Sequence, residues 1–431
     1  MNATRISSVR ARRVWDSRGN PTVEAEVRLE NGTIGRAIAP AGASRGSREA
    51  RELRDGGPRL GGLDVMAAVT GVSQTIHGAL RGLDAQCQDR VDAALVRADG
   101  SEQRDRLGSN ALVAVSMAAV HAAAAARGVP LWRHLLGEGS AVLPLPEIQI
   151  FGGGAHAGRR IDIQDFMIMA PKASSFSQAL EWTAEVYRAA GSLLEKRGLR
   201  AGVADEGGYW PAFKDNGEAL DLLMQAIEAA GFTPGDEIVI SIDVAASEFG
   251  RNGRYRLALE NRELDSDALA ELIGRWIERY PIASVEDPLA EDDEAGLKRF
   301  TAAYGERVQI VGDDYLVTDA ARVTAAAAAG VCNAVLLKPN QRGTLTETLA
   351  AWDAAKVSGF GAMVSARSGE TEDVSIVHLA VGWGVPQLKV GSFSRSERMA
   401  KWNEGIRIEE ALGNQARFAG AAPLRGKYGS G

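Results

Sequence analysis

The sequence predicts an α/β protein in two parts, a short region of strands and then helices followed by a barrel of the (β/α)8 type. Three observations carry this. Beyond "VLPLPEIQI" short apolar runs alternate with helical stretches. The apolar runs are continuous, as in strands buried on both faces of a parallel sheet. Each then runs directly into polar residues, as strands do at the mouth of a barrel.

The elements follow in order. Residues 5–40 read as strands, because "TVEAEVRL" alternates apolar and polar positions and "ENG" follows as a hairpin turn. Residues 41–57, "AGASRGSREARELRDGG", begin as a Gly/Ser loop and end as a charged stretch. From 62 to 138 the pattern is helical. "SNALVAVSMAAVHAAAAARG" predicts a buried helix that stops at Gly128. From 143 to about 415, "DEIVISIDVAASEF", "IASVEDPLAEDD", "VQIVGDDYLVTD", "CNAVLLKPNQRGT" and "GFGAMVSARSGETED" each read as a buried strand. Helices such as "DALAELIGRWIERY" and "TDAARVTAAAAAG" separate them. No solenoid repeat and no low-complexity linker interrupts this pattern.

Composition narrows the function. A chain of 431 residues has room for two or three domains, or fewer if one is a large barrel. A formal charge of −7 and the lack of a strongly basic domain argue against nucleic acid as the main partner. A small anion still fits if cations or metals gather in one cleft. Two cysteines exclude a Cys-based zinc site and make a disulfide framework unexpected. No 18-residue apolar run is read as a membrane span, and the N-terminus lacks the apolar core of a signal peptide. A cytoplasmic enzyme is the expectation.

The chemistry gathers at strand ends. Asp243 follows "IVISI", Glu286 and Asp287 follow "IASV", Asp313 and Asp314 follow "VQIVG", and Lys338 follows "AVLL". Carboxylates on three successive strands make a hard-oxygen site suited to magnesium or manganese. The plainer alternative is that each acid caps the next helix, but three in succession before a lysine favour the metal. Lys338, desolvated beside a divalent ion, is expected to have a lowered pKa and to act as a base, unless it serves as a structural salt bridge. Glu206 in "VADEGGYW" is a candidate acid across the pocket. His156 and Asp165 lie in the glycine-rich "GGGAHAGRRIDIQDFM". Arg367, Ser368 and Lys389 suit phosphate and carboxylate. A metal, a lysine base and an opposed acid define removal of a proton α to a carboxylate with loss of a β-leaving group.

These residues sit in segments that together resemble enolase over nearly the whole chain. The segments are "DSRGNPTVE" (16–24), "GAS.GSREA.ELRDG" (42–56), "LG.NA..AVS" (107–116), "DEGG" (205–208), "SEF" (247–249), "EDP.AEDD" (286–293), "LLK.NQ.GTL.E" (336–347), "SGETED" (368–373) and "RSER.AK.N" (395–403). The resemblance implies an α+β capping domain over 1–138 and a modified barrel over 143–431 with irregular first strands. It implies two magnesium ions, the first on Asp243, Glu286 and Asp313 and the second held with help from Ser44. It implies Lys338 as base and Glu206 as the acid for the departing hydroxyl. Arg367 and Ser368 match phosphate ligands, Lys389 a substrate-carboxylate partner, and His156 and Gln164 substrate contacts. A lysine base working with magnesium is the general pattern of enolase-type enzymes, and it comes to this chain through the resemblance. A homodimer or larger homo-oligomer is implied as well.

The departures from the family cluster at the pocket. Ala366 stands where enolases have the histidine of "SHRS", and Asp165 where they have the glutamate of "QEF". Arg45 replaces the threonine of the "GAST" lid, Gly152 the asparagine of "NGG", and Ala204, Tyr209 and Trp210 alter "GDEGGFAP". With base, acid and metal ligands intact, this pattern points to the same elimination on a larger or more anionic substrate. A phosphonate-type substrate fits, as in the enolase-like formation of carboxyphosphonoenolpyruvate in phosphonate and phosphinate antibiotic pathways. Arg45 is expected to meet the added carboxylate and Ala366 to make room for it. The competing readings are an ordinary enolase acting on 2-phosphoglycerate and a non-catalytic binding protein.

Overall fold

The computed structural model describes residues 3–429. The chain begins with β1 (Ile6–Trp15), β2 (Pro21–Leu29) and β3 (Ile34–Ile38), a three-stranded antiparallel meander. The β2–β3 turn uses Gly32 at φ +88, the left-handed conformation that "ENG" predicts. The helix Ser109–Ala126 lies across β2 and β3. A Cβ on Gly35 of β3 would stand 2.2 Å from the carbonyl of Ala118, so only glycine lets this helix backbone approach the sheet so closely.

That helix corrects one expectation. Its 18 residues are long and apolar enough to cross a membrane, contrary to the sequence reading. Their apolarity is used internally: 83% of the stretch is buried between the meander and the barrel. Such all-round burial is what a helix hydrophobic on every face requires. Its end is as predicted, with Gly128 left-handed at φ +67 just beyond Ala126.

The barrel strands are β4 (Leu145–Gly152), β5 (Asp165–Met169) and β6 (Val239–Asp243). A small three-stranded flap follows, made of β7 (Gly250–Arg251), β8 (Arg254–Leu257) and β9 (Arg262–Asp265). The barrel resumes with β10 (Ile282–Glu286), β11 (Gln309–Gly312), β12 (Ala334–Leu337), β13 (Gly361–Ser365) and β14 (Gln387–Ser392). These eight barrel strands close in the order β10-β11-β12-β13-β14-β4-β5-β6. Closure leaves no sheet edge, and nearly every strand residue is buried. Full burial of each Val, Leu or Ile in strands such as "AVLL" stabilises the fold by about 1.5–3 kcal/mol.

The barrel is not uniformly parallel. β5 runs antiparallel to both β4 and β6, whereas all other neighbours are parallel. The β-then-α reading missed this because β4 and β5 are joined by a loop and one short 3-10 turn, with no intervening α-helix. Antiparallel neighbours need no crossover helix. The reversal puts the start of β5, not its end, at the mouth, which brings Gln164 and Asp165 level with Asp243.

Candidate active site

The functional side chains meet where the barrel mouth faces the loop of residues 41–50. Ser44, His156, Gln164, Asp165, Glu206, Asp243, Lys338, Ala366, Arg367, Ser368 and Lys389 line one cleft. Glu286 and Asp313 stand directly behind it, bonded to the two lysines. Arg45 is the exception: it is exposed on the loop, with its guanidinium 3.9 Å from Glu52 and outside the lining.

The three acids end adjacent strands. Asp243 closes β6 and Glu286 closes β10 in direct register, and Asp313 follows β11 beside them. They do not converge on one another, because Lys389 stands among them. Its Nζ lies 2.9 Å from Asp243, 2.8 Å from Glu286 and 3.6 Å from Asp165. Burial would lower the Lys389 pKa, but Asp243, Glu286 and Asp165 outweigh it and hold the ammonium well above its ordinary value. Glu286 is held well above the ordinary carboxylate range, by burial first and by the neighbouring Asp243 charge second. One of its oxygens, Oε1, is buried with no hydrogen-bond partner among the described residues. An orphaned carboxylate oxygen beside two further carboxylates is a donor set that fits a hard divalent cation such as magnesium.

Lys338 corrects a second expectation. Its Nζ donates to Asp313 Oδ2, and Gln341 donates to the other oxygen at 2.9 Å. Burial, the largest influence, lowers the Lys338 pKa, yet the Asp313 and Glu286 charges together turn the net shift upward. The lowered value was expected of a lysine beside a divalent ion; beside an uncommitted carboxylate the sign reverses. Asp287 orients this pair from below, its two oxygens each accepting at 2.9 Å from the backbone N–H of Asp313 and Asp314. It holds a positive φ of 40° to do so. Asp287, Asp313 and Asp314 form one tight acidic grouping, while His156, Asp165 and Glu206 form the other.

In that second grouping His156 Nε2 lies 3.1 Å from Asp165 and Nδ1 lies 3.6 Å from Glu206. Burial disfavours a charged imidazole, but the two carboxylates win and raise the His156 pKa well above normal. Burial would likewise raise Glu206, but protonated His156 takes it down to about 2. Within this pair the proton favours His156 over Glu206. Gln149, absent from the sequence reading, ties this corner together. It donates to Asp165 Oδ1 and accepts from the Gly208 N–H at 2.8 Å, two residues beyond Glu206.

The loop of residues 41–50 is latched onto the anion-binding candidates. Ala41 and Gly369 exchange two backbone hydrogen bonds of 2.8 Å, and the Ala43 N–H donates to Ser368 Oγ at 2.7 Å. Arg367 donates to Ser44 O at 2.9 Å, to Asn340 Oδ1 at 3.0 Å and to both oxygens of Glu49 at 3.0 and 3.2 Å. Gly42 covers the guanidinium so closely that a Cβ would stand 2.1 Å from it. Glu49 was also missed; it lies 318 residues from Arg367 in the chain, beyond any local pattern. With the loop in place the free space in the cleft is about 20 Å³, nearer to a water than to a phosphorylated acid. A ligand of that size therefore needs a shift of the loop or of the lining side chains.

The departing residues divide by position. Ala366 faces the cleft, its N–H bonded to Lys389 O at 2.8 Å. Tyr209 does not; it stacks on Tyr187 with ring centroids 4.5 Å apart in the barrel wall. Gly152 and Ala204 depend on each other, since a Cβ at 152 would lie 2.7 Å from that of Ala204.

A capped α/β barrel whose mouth gathers a buried lysine, a histidine–glutamate pair and strand-end carboxylates suits a lyase whose acidic groups could hold a metal ion. The chain matches "Enolase, N-terminal domain" over residues 6–135 and "Enolase, C-terminal TIM barrel domain" over residues 140–426. It belongs to the enolase family.

Proposed function

We propose that this member of the enolase family is a magnesium-dependent lyase specialised for a 2-phosphoglycerate-like substrate that is larger or more anionic than 2-phosphoglycerate, of the phosphonate type that yields carboxyphosphonoenolpyruvate. The observation that carries the specialisation is Ala366, a methyl group on the cleft wall where the family has an imidazole, amid an otherwise complete set of ionisable groups. Arg45 lends the reading no support while it lies against Glu52.

Asp243, Glu286 and Asp313 would hold magnesium. The ion supplies positive charge where negative charge builds on the substrate carboxylate. Lys338 Nζ, once its bond to Asp313 is relaxed and it has released a proton to become the neutral amine, takes the α-proton. His156 and Glu206 hold a proton three strands away round the barrel, the distance from β12 to β4, and deliver it to the departing oxygen. Arg367 and Ser368 receive the anionic phosphorus group as the loop of residues 41–50 exchanges their present partners. Lys389 is placed to meet the substrate carboxylate. The closed loop excludes water, which strengthens each of these charge interactions.

The favourable observation for ordinary enolase activity is that Tyr209 and Trp210 do not reshape the cleft. The deciding experiment compares kcat/KM for 2-phosphoglycerate with that for its analogue carrying a carboxylate on phosphorus. The proposal expects the analogue to be preferred. Turnover of 2-phosphoglycerate at the rate of a glycolytic enolase, with the analogue inert, overturns it.

A further inference from the structure

A second groove lies on the other side of the segment that carries His156. It has a volume of about 620 Å³ and is lined by Arg159, Arg251, Arg254 and Arg256, with Asp162 and Glu248 the only acids on its wall among the described residues. Both acids are already engaged. Asp162 accepts from the Ala258 N–H at 2.8 Å and from Asn216 at 3.0 Å. Glu248 pairs with Arg159 at 3.0 Å. Arg251, Arg254 and Arg256 form no ion pair or side-chain hydrogen bond among the described residues.

The local sequence forces this arrangement. In "RNGR", Asn252 and Gly253 both take positive φ, 51° and 69°, so the turn is the tight two-residue type that suits a hairpin. Arg251 and Arg254 flank it as direct cross-strand partners. Like charges directly opposite one another are destabilising. Arg256 lies two residues on, on the same exposed face of β8, whose Tyr255 and Leu257 point inward. Glu263 and Asp265 of β9 stand in register with Arg256 and Arg254 without pairing to them, and Asp265 caps its helix through the Ala268 N–H. Asp292 accepts from the turn itself, at the Asn252 N–H. In a chain of net charge −7, the groove wall itself sets four guanidinium groups against two carboxylates.

We propose that this groove is a second anion site, taking a small polyanion with two or more phosphate or carboxylate groups. Bound there, the anion offsets the Arg251–Arg254 repulsion and draws on Arg159. Its effect reaches the catalytic cleft because Gly154, Arg159, Ile161 and Asp162 line the groove while His156 and Gln164, on the same segment, line the cleft. The inference does not rest on which substrate the cleft transforms.

The test is calorimetric titration of the full-length protein with tripolyphosphate in metal-free buffer, followed by amide hydrogen exchange. Wild type is expected to bind, more weakly as salt rises. The Arg251→Gln/Arg254→Gln variant is expected to bind at least about tenfold more weakly, since charge-assisted contacts are lost. Arg256→Gln, away from the turn, serves if the double variant misfolds and is expected to weaken binding in the same direction. Exchange over residues 154–162 should slow with the probe in wild type and not in the variants. Equal affinity in wild type and folded variants, or unchanged exchange over that segment, overturns the proposal.

Discussion

Lys338 donates from Nζ to Asp313 Oδ2, and both side chains are buried. The expected base and an expected metal ligand thus occupy each other. If Asp313 holds a divalent cation, that cation and the ammonium group compete for the same carboxylate, and loading the metal frees the base. Lys338→Met removes the competitor without adding charge. Magnesium affinity, measured by calorimetry, should be tighter in this variant, while elimination falls by about 10²–10⁴-fold. Unchanged or weaker magnesium binding in a folded K338M protein would show that the two do not compete.

Glu49 and Arg367 form the loop's buried counterpart to that pair, 4% and 2% exposed at their side chains. Glu49→Gln leaves the Arg367 guanidinium with only neutral hydrogen-bond partners, while Asp313 and Glu52 act on its charge from further off. Removing one member of a buried pair costs about 3–5 kcal/mol, here nearer the lower figure because Ser44 O and Asn340 remain. Denaturant unfolding should register this loss. The freed guanidinium should also take an anion more readily, so inorganic phosphate should raise the Tm of the variant more than that of wild type. Equal phosphate shifts would place Arg367 outside anion binding.

Ala366→His asks whether the methyl group is a specialisation. The position faces the cleft beside Lys389, so an imidazole there joins the acid–base groups directly. If the chain has given up 2-phosphoglycerate for a larger substrate, the variant should gain about a hundredfold on 2-phosphoglycerate and lose activity on the carboxylated analogue. Filling so small a cleft should also cost about 1–3 kcal/mol of stability with the loop closed. An ordinary enolase with a tolerated substitution would change little on either substrate.

Strand ends were readable because burial and period are local properties. A largely apolar run that stops at Asp243, Glu286, Asp313 or Lys338 announces both the strand and the residue at its mouth. The direction of β5 was not readable, because "DFMIM" has the same pattern whichever way it runs. Nor were partnerships across the fold. Lys389 was expected to meet substrate, and its present ligands are Asp243 and Glu286, 146 and 103 residues distant. Gln149 carries no mark in the sequence, and only the loop bearing Gly208 reveals its role. Nor was the approach of His156 to within 3.6 Å of Glu206 readable, since folding alone brings the two together.

Asp92 offers a test of stability independent of catalysis. It is buried where three helices meet, accepting from Ser116 at 2.6 Å, from Gln88 at 2.9 Å and from the Thr346 N–H and hydroxyl at 2.9 and 2.6 Å. Burial raises its pKa to about 6, against the pull of these four bonds. A carboxyl group whose folded pKa is raised holds its proton more tightly folded than unfolded. Its contribution to stability is therefore complete below about pH 4 and is lost as pH rises through about 6, by roughly 3 kcal/mol. Asp92→Asn cannot ionise. Its amide also presents a donor where the carboxylate accepted, so its absolute stability reflects both the relief of a buried charge and the loss of a bond to Thr346. The slope is the cleaner readout. Urea unfolding from pH 4 to pH 7 should show wild type losing more stability with rising pH than the variant, by about 3 kcal/mol across the range. Parallel curves would mean that Asp92 titrates in the folded protein as it does in the unfolded chain, and that the four bonds fully offset its burial.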